Sequence, residues 1–181
     1  MKDIVRDIIN MIYFNKDKNF FVINCTKKLE LPEEFSLLLN DNEIKVIEGM
    51  EEAFPAKKFY VEYEPFAKRD FRVEYKTIIQ ISKIIPIFYI QHEFEVDNKD
   101  ENSMGSSLTG FDGQPYTKKQ YDFQEKILEI LNKAGFTELS YSEINEVVCG
   151  LEFPEEVNLF GPQVTVEHVL FNDVFGFCSK D

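Results

Sequence analysis

Three consecutive segments of this chain show a period-two pattern of side chains, and this pattern constrains the fold more than any other feature. The segments cover residues 59–64, 71–81 and 84–96. Successive side chains of a β-strand point to opposite faces, so period two over these segments predicts three strands. Short connections make the strands antiparallel neighbours. One face of this meander should pack on helices, while the other should be at least partly wet.

Helical patterns flank the meander. Thr117 and Gln120 match the T-x-x-Q capping box, and an apolar stripe follows them up to Gly135, a residue suited to a left-handed helix end. Elsewhere, apolar spacing or start signals such as proline and capping residues indicate further helices. Helices are predicted over residues 3–14, from Pro32, over residues 43–54 and from Thr117 to Gly135. Residues 165–171 fit either a strand or a short helix capped by Thr165, and the helix is preferred.

Two other segments complete the predicted architecture. Residues 20–23 form a short apolar run that predicts a strand. Residues 97–117 lack periodicity and predict a long irregular loop. The whole chain, residues 1–181, is therefore interpreted as a single α+β domain in which an antiparallel meander sheet of about four strands packs with helices.

Charge narrows the classes of partner. The 181 residues carry a formal net charge of −13, and residues 83–181 hold 18 acidic but only 7 basic residues. Phosphate backbones and anionic lipids repel such a chain, so we expect neither nucleic-acid nor membrane binding. A basic protein is the partner that the charge favours.

Cysteine use and the chain's beginning bear on location. Cys25, Cys149 and Cys178 are odd in number and widely spaced, which is typical of reduced thiols in a cytosolic protein. Charged residues interrupt the apolar run near Met1, so no signal peptide is predicted. These features predict a cytoplasmic protein. No cofactor fingerprint is present, and we expect no cofactor.

The two histidines allow an enzymatic alternative. His92 precedes Glu93, and His168 follows Glu167, so each imidazole adjoins a carboxylate of the kind that binds zinc or iron. A metal-dependent or small-ligand enzyme could use both histidines. However, His92 shares its strand parity with apolar residues, which favours a core histidine, and the spacing matches no zinc-protease motif.

The predicted polar face of the meander carries five acidic residues against two basic ones. Tyrosines share its parity, and acid with tyrosine suits the binding of a basic protein, because aromatic anchors and charge complementarity make tight, fast interfaces. A plain solvated face is the alternative interpretation. The residues expected to contact a partner are Glu62, Glu64, Glu93, Glu95, Asp97, Asp100, Glu101 and Tyr116.

The function predicted from these observations is non-enzymatic protein binding. An acidic chain of this size without catalytic motifs has the general character of inhibitors that occlude a cationic target, such as bacterial immunity proteins that neutralise a toxin. This likeness is one of size, charge and missing motifs. The oligomeric state cannot be predicted from the sequence.

Overall fold

The computed structural model describes residues 1–49, 52–98, 108–157 and 161–178. A π-helical turn, Asn10–Phe14, continues the first helix, and a 3₁₀ turn covers Glu155–Val157. The α-helices of the described residues are α1 (Asp3–Ile9), α2 (Lys18–Thr26), α3 (Glu33–Leu39), α4 (Lys118–Lys133), α5 (Tyr141–Ile144), α6 (Val166–Phe171) and α7 (Phe175–Cys178). The strands are β1 (Ile44–Glu48), β2 (Ala56–Tyr63), β3 (Phe66–Lys68), β4 (Phe71–Ser82), β5 (Ile87–Asn98), β6 (Leu108–Asp112), β7 (Thr137–Glu138), β8 (Val147–Glu152) and β9 (Gln163–Thr165).

Seven of the described strands form one mostly antiparallel sheet. Five of them follow one another in the order β1-β2-β4-β5-β6, and β3 and β7 pair beside this path. β3 pairs with the beginning of β4, β7 pairs in parallel with the beginning of β5, and β8 and β9 form a separate pair. The α+β class is confirmed. The expected number of about four strands was too low, because β1, β3, β6 and β7 lengthen the sheet beyond the periodic meander.

One face of the sheet packs against α4 and is called the α4 face. Strands β2 and β4 bury odd-numbered residues here and β5 buries even-numbered ones, where they meet α4 and the fully buried Phe35 of α3. The Tyr63 and Phe123 rings lie edge to face with centroids 6.2 Å apart. The period-two pattern therefore holds because half of each strand is removed from water by these helices.

The opposite face, called the α6 face, is covered over one half. The Gln80 side chain donates to the Glu167 carboxylate of α6 at 3.0 Å, and Ser82 donates to the Leu170 carbonyl at 3.2 Å. A second core extends from this half to the ends of the chain, where the rings of Phe21 and Phe175 stack at 5.0 Å. The other half of the α6 face carries exposed and half-buried polar residues.

The prediction of a strand at residues 20–23 was wrong, because these residues lie within α2. The Asp17 carboxylate accepts a hydrogen bond from the Phe20 backbone N–H at 2.9 Å. This cap satisfies one of the donors that a helix leaves free at its start. Phe21 and Cys25, which are four residues apart, then face the core together, as helical spacing requires.

The predicted helix at residues 43–54 was also wrong, because Ile44–Glu48 is the edge strand β1. Ile44 and Val46 face the α4 side while Lys45 projects to the other, and β1 pairs with β2 over five residues.

The predicted loop at residues 97–117 is shorter than expected. β5 continues to Asn98, β6 occupies Leu108–Asp112, and residues 99–107 lie outside the described ranges.

Two helix starts agree with the sequence patterns. Thr117 and Gln120 form the predicted capping box of α4, and Gly135 follows that helix with φ of +85°. Thr165 precedes α6, as predicted.

In the part of the chain that the structure describes, no helix combines the length and the apolar character needed to cross a membrane. The single-domain boundaries stay a prediction.

Candidate partner-binding site

Four of the predicted partner-binding residues meet in a surface depression on the uncovered half of the α6 face. The depression has a volume of about 390 Å³ and lies next to the connection between β2 and β3. Its charged side chains come from β1, β2, β4, β5 and their connections, with six carboxylates against three cations. This acidic depression is lined by Glu43, Glu62, Glu64, Glu74, Glu93 and Glu95, together with Lys45, Arg72 and Lys76.

One row across the sheet alternates in charge. Lys45 pairs in register with Glu62, Glu62 with Lys76, and Lys76 with Glu93. The Lys45 ammonium lies 2.8 Å from the Glu62 carboxylate. Each cross-strand pair of opposite charge stabilises a sheet by about 0.2–1 kcal/mol. Glu62 and Glu93 therefore have cationic neighbours within the protein itself.

The next row carries the surplus of acid. Glu74 of β4 stands directly across from Glu95 of β5, and both side chains are exposed. Like charges in opposite positions destabilise a strand pair. Arg72 offsets this repulsion in part, because its guanidinium lies 2.7 Å from the Glu74 carboxylate. Glu95 is therefore the acid of this row that is best placed to receive a cation from outside.

The remaining predicted residues do not all join the depression. Asp97 is exposed on the same face of β5, in register with Arg72. Asp100 and Glu101 lie outside the described residues. Tyr116 lies on the other face, where its ring meets the Phe94 ring edge to face at 4.8 Å. Of the two described residues, Asp97 extends the acidic surface and Tyr116 does not.

Sequence reasoning missed the contribution of β1. Glu43 and Lys45 line the depression, but residues 43–54 were interpreted as a helix, which would place them elsewhere. A signal was present in the chain. Ile44 and Val46 alternate with Lys45 over a short β-branched run, and such alternation indicates a strand.

A row of apolar residues crosses the α4 face at the same end of the sheet, beyond the reach of the helical core. Phe66 pairs in register with Val73, Val73 with Val96, and Val96 with Leu108. Phe66 is 57% exposed and Leu108 is 62% exposed. This distal row, defined by Phe66, Val73, Val96 and Leu108, means that the end of the sheet is acidic on one face and apolar on the other.

His92 is a buried structural histidine on the α4 face. Its Nδ1 lies 2.9 Å from the Thr77 hydroxyl, and its Nε2 lies 3.3 Å from the Gln124 side-chain oxygen. The Tyr63 hydroxyl contacts Thr77 in turn, at 3.0 Å. Burial lowers the pKa of His92 below its ordinary value, so the neutral imidazole is favoured.

His168 has a separate role on the α6 side of the sheet. Its Nδ1 accepts a hydrogen bond from the Thr165 backbone N–H at 3.0 Å and so helps to cap α6. Its ring lies edge to face against Phe153 at 5.0 Å. The sheet therefore stands between His92 and His168, and the geometry does not bring them together in one site.

The cysteines give no activated nucleophile in the second core. Burial raises the pKa of the Cys25 thiol to about 11, and burial does the same for Cys178. A thiol is a nucleophile only as the thiolate, so these two groups are inert at neutral pH. Their contribution is packing among the apolar side chains of that core.

Comparison of this chain with protein-family models, with curated proteins and with solved structures found no match. The functional interpretation therefore rests on the geometry and charge of the described residues.

Proposed function

We propose that this protein is a non-enzymatic binding module whose acidic depression receives a basic partner protein. The observation that carries the proposal is the convergence of Glu62, Glu64, Glu93 and Glu95 in one concave surface with a surplus of negative charge. A concave, acidic surface favours a cationic group, and it raises the rate at which a cationic protein arrives.

The surroundings of the depression suit a protein partner. Tyr60 is half-buried in the row next to Glu62, and Phe111 of β6 stands beside Glu93 with 60% of its side chain exposed. Aromatic side chains at the edge of a charged surface supply the apolar contact area that anchors protein interfaces. The net charge of −13 adds long-range attraction toward a basic partner.

The test is charge reversal at two acids of the depression. In a Glu93→Lys/Glu95→Lys variant, the association rate with the partner should fall by about tenfold or more, because rim charges act mainly on the rate of encounter. The wild-type protein is immobilised at low salt, a lysate is passed over it, and bound protein is eluted toward about 1 M salt, where screening is nearly complete. Association of the eluted protein is then measured for both forms.

A matched control separates the site from overall charge. Glu155→Lys/Glu156→Lys makes the same change in net charge at two exposed acids of the 3₁₀ turn, away from the depression. We expect this control to retain most of the association rate. If both double variants slow association equally, the depression is not the binding site. Melting temperatures of all three proteins should be nearly equal.

A finer form of the proposal makes the partner a basic toxin that this chain neutralises in the cytoplasm. The support is the same electrostatic argument, since an inhibitor of a cationic enzyme must find it quickly and cover its site. A salt-eluted partner with nuclease or other toxic activity, suppressed by the wild-type chain and less by Glu93→Lys/Glu95→Lys, is the expected result. An inert partner would restrict the proposal to binding.

A further inference from the structure

We propose that the partner presents an extended segment with alternating basic and apolar residues, and that this segment joins the sheet as an added strand along β6. The inference rests on the proposed function, because it names how the basic partner is held. Addition of a strand to an open sheet edge obtains affinity from main-chain hydrogen bonds and specificity from alternate side chains.

β6 is an open edge of the sheet in the described part of the chain. It pairs with β5 on one side, and no described strand pairs with its other side. All five of its residues are exposed or half-buried. A free edge presents a row of unpaired backbone donors and acceptors, which is a template for another strand.

The distal row ends at β6 on the α4 face. Phe66, Val73, Val96 and Leu108 stand side by side on four successive strands, and Leu108 is the last of them. An added strand would place a side chain directly beside Leu108, at a cross-strand distance of about 5 Å. An apolar residue at that position continues the row and removes exposed apolar surface from water.

The other face of β6 adjoins the acids. Glu93 and Glu95 lie on the neighbouring strand, in register with Phe111 and Thr109. A lysine or arginine of the added strand, placed beside Thr109, has a side chain long enough to reach toward the Glu95 carboxylate. Alternation in the partner follows, because apolar and basic residues must point to opposite faces of one strand.

Charge complementarity selects β6 over the opposite edge, β1. The charged residue that β1 presents on the acidic face is Lys45, which stands on the edge strand itself, and its neighbour on that face, Ile47, is 44% exposed. A basic strand added at β1 would therefore meet a cation first. At β6 the nearest charges on that face are carboxylates.

The first experiment compares two synthetic peptides of one composition. Because β6 has five residues, a labelled peptide of about seven residues that alternates lysine and valine spans it at roughly 3.4 Å per residue. The comparison peptide has its lysines and valines in two separate blocks. Fluorescence anisotropy should show at least about tenfold tighter binding of the alternating peptide, since the block peptide cannot match both faces.

Two matched variants locate the binding. Leu108→Lys puts a cation at the end of the distal row, on β6, and should weaken the alternating peptide by about tenfold or more. Ile47→Lys makes the same kind of change at an exposed aliphatic residue of the other edge strand and should leave binding nearly unchanged. Both side chains are exposed, and melting temperatures show that the variants fold.

The outcomes distinguish this inference from the proposed function. Equal binding of the two peptides, no detectable binding of either, or equal effects of Leu108→Lys and Ile47→Lys would overturn strand addition at β6. If Glu93→Lys/Glu95→Lys still slows the native partner in that case, the acidic depression remains the site and only the mode of binding is wrong. Loss of both effects would remove both proposals.

Discussion

Gly110 occupies a place in β6 that the ring of Phe94 fills. A Cβ atom built on Gly110 would lie 2.4 Å from the Cε1 atom of Phe94, closer than two carbon atoms can pack. The absence of a side chain lets the Phe94 ring lie across β6 and meet the Tyr116 ring. Gly110 therefore makes room for the Phe94 ring, which contacts Tyr116 just before α4.

Replacement of this glycine should destabilise the protein. We expect Gly110→Ala to lower the free energy of unfolding by about 1–3 kcal/mol, because the Phe94 ring must leave its position. Gly113→Ala is the control, since a Cβ there meets only the Tyr141 Cβ at 3.8 Å. Urea unfolding measures both variants. Equal stability of the two would show that the Phe94 ring shifts without cost.

His92 links stability to pH. Burial keeps the pKa of His92 below its ordinary value of about 6.5, so the unfolded chain binds the proton more readily than the folded protein. The neutral His92 side chain contributes its full stabilisation above about pH 6.5, the pKa of the unfolded chain. This stabilisation is lost as the pH falls through the lower pKa of the folded protein. One such group changes the free energy of unfolding by at most about 1.4 kcal/mol per pH unit.

The measurement is urea unfolding of wild type and His92→Gln at about pH 7.5 and 5.5, on either side of the ordinary histidine pKa. We expect the wild type to lose more stability between these values than the variant does. His168, whose pKa burial also lowers, is present in both proteins, so the difference isolates His92. The same loss in both proteins would mean that His92 is protonated at no cost.

At the scale of elements, the regular patterns were sufficient for β2, β4, β5 and α4. Each of these is long or periodic enough for side-chain spacing to identify it. Short segments were not decided by spacing. Residues 20–23 read as a strand from composition, but the Asp17 cap and the buried positions of Phe21 and Cys25 make them helical. Such context is supplied by tertiary packing.

The cap of α2 provides a test of that explanation. Asp17→Ala removes the acceptor for the Phe20 N–H and should lower the free energy of unfolding by about 1 kcal/mol, within a range of about 0.5–2. Asp7→Ala removes a carboxylate from the exposed side of α1 and should have little effect. Urea unfolding followed by circular dichroism compares them. A smaller loss for Asp17→Ala would indicate that packing alone holds α2.

Prediction of the candidate site was limited by strand order. Parity alone places Glu62, Glu93 and Glu95 on one face, and the structure agrees. Parity cannot show the order of the strands in the sheet, so it cannot show which other residues border these acids. Lys45 and Phe111 border the acids because β1 and β6 are the edges of the sheet, a long-range arrangement that no local pattern contains. Tyr116 lies outside the periodic segments, so parity could not assign it to either face.

For the whole molecule, the important feature is a sheet shared by two cores. Helices α3 and α4 cover one face, while the helices from both chain ends cover half of the other. The long strands β4 and β5 extend past these layers and carry the acidic depression and the distal row on their far ends. The proposed binding surfaces thus project from a body that is packed on both sides.

The meeting of the chain ends has a consequence for the order of folding. β4 and β5 are joined by residues 83–86, so their pairing closes a very short loop and can form early. The Tyr13 hydroxyl, in contrast, donates to the Val169 carbonyl at 3.1 Å across most of the chain. Contacts so distant in sequence are slow to form. We therefore expect the hairpin that bears the proposed binding surface to assemble first, and the terminal helices to close over it last.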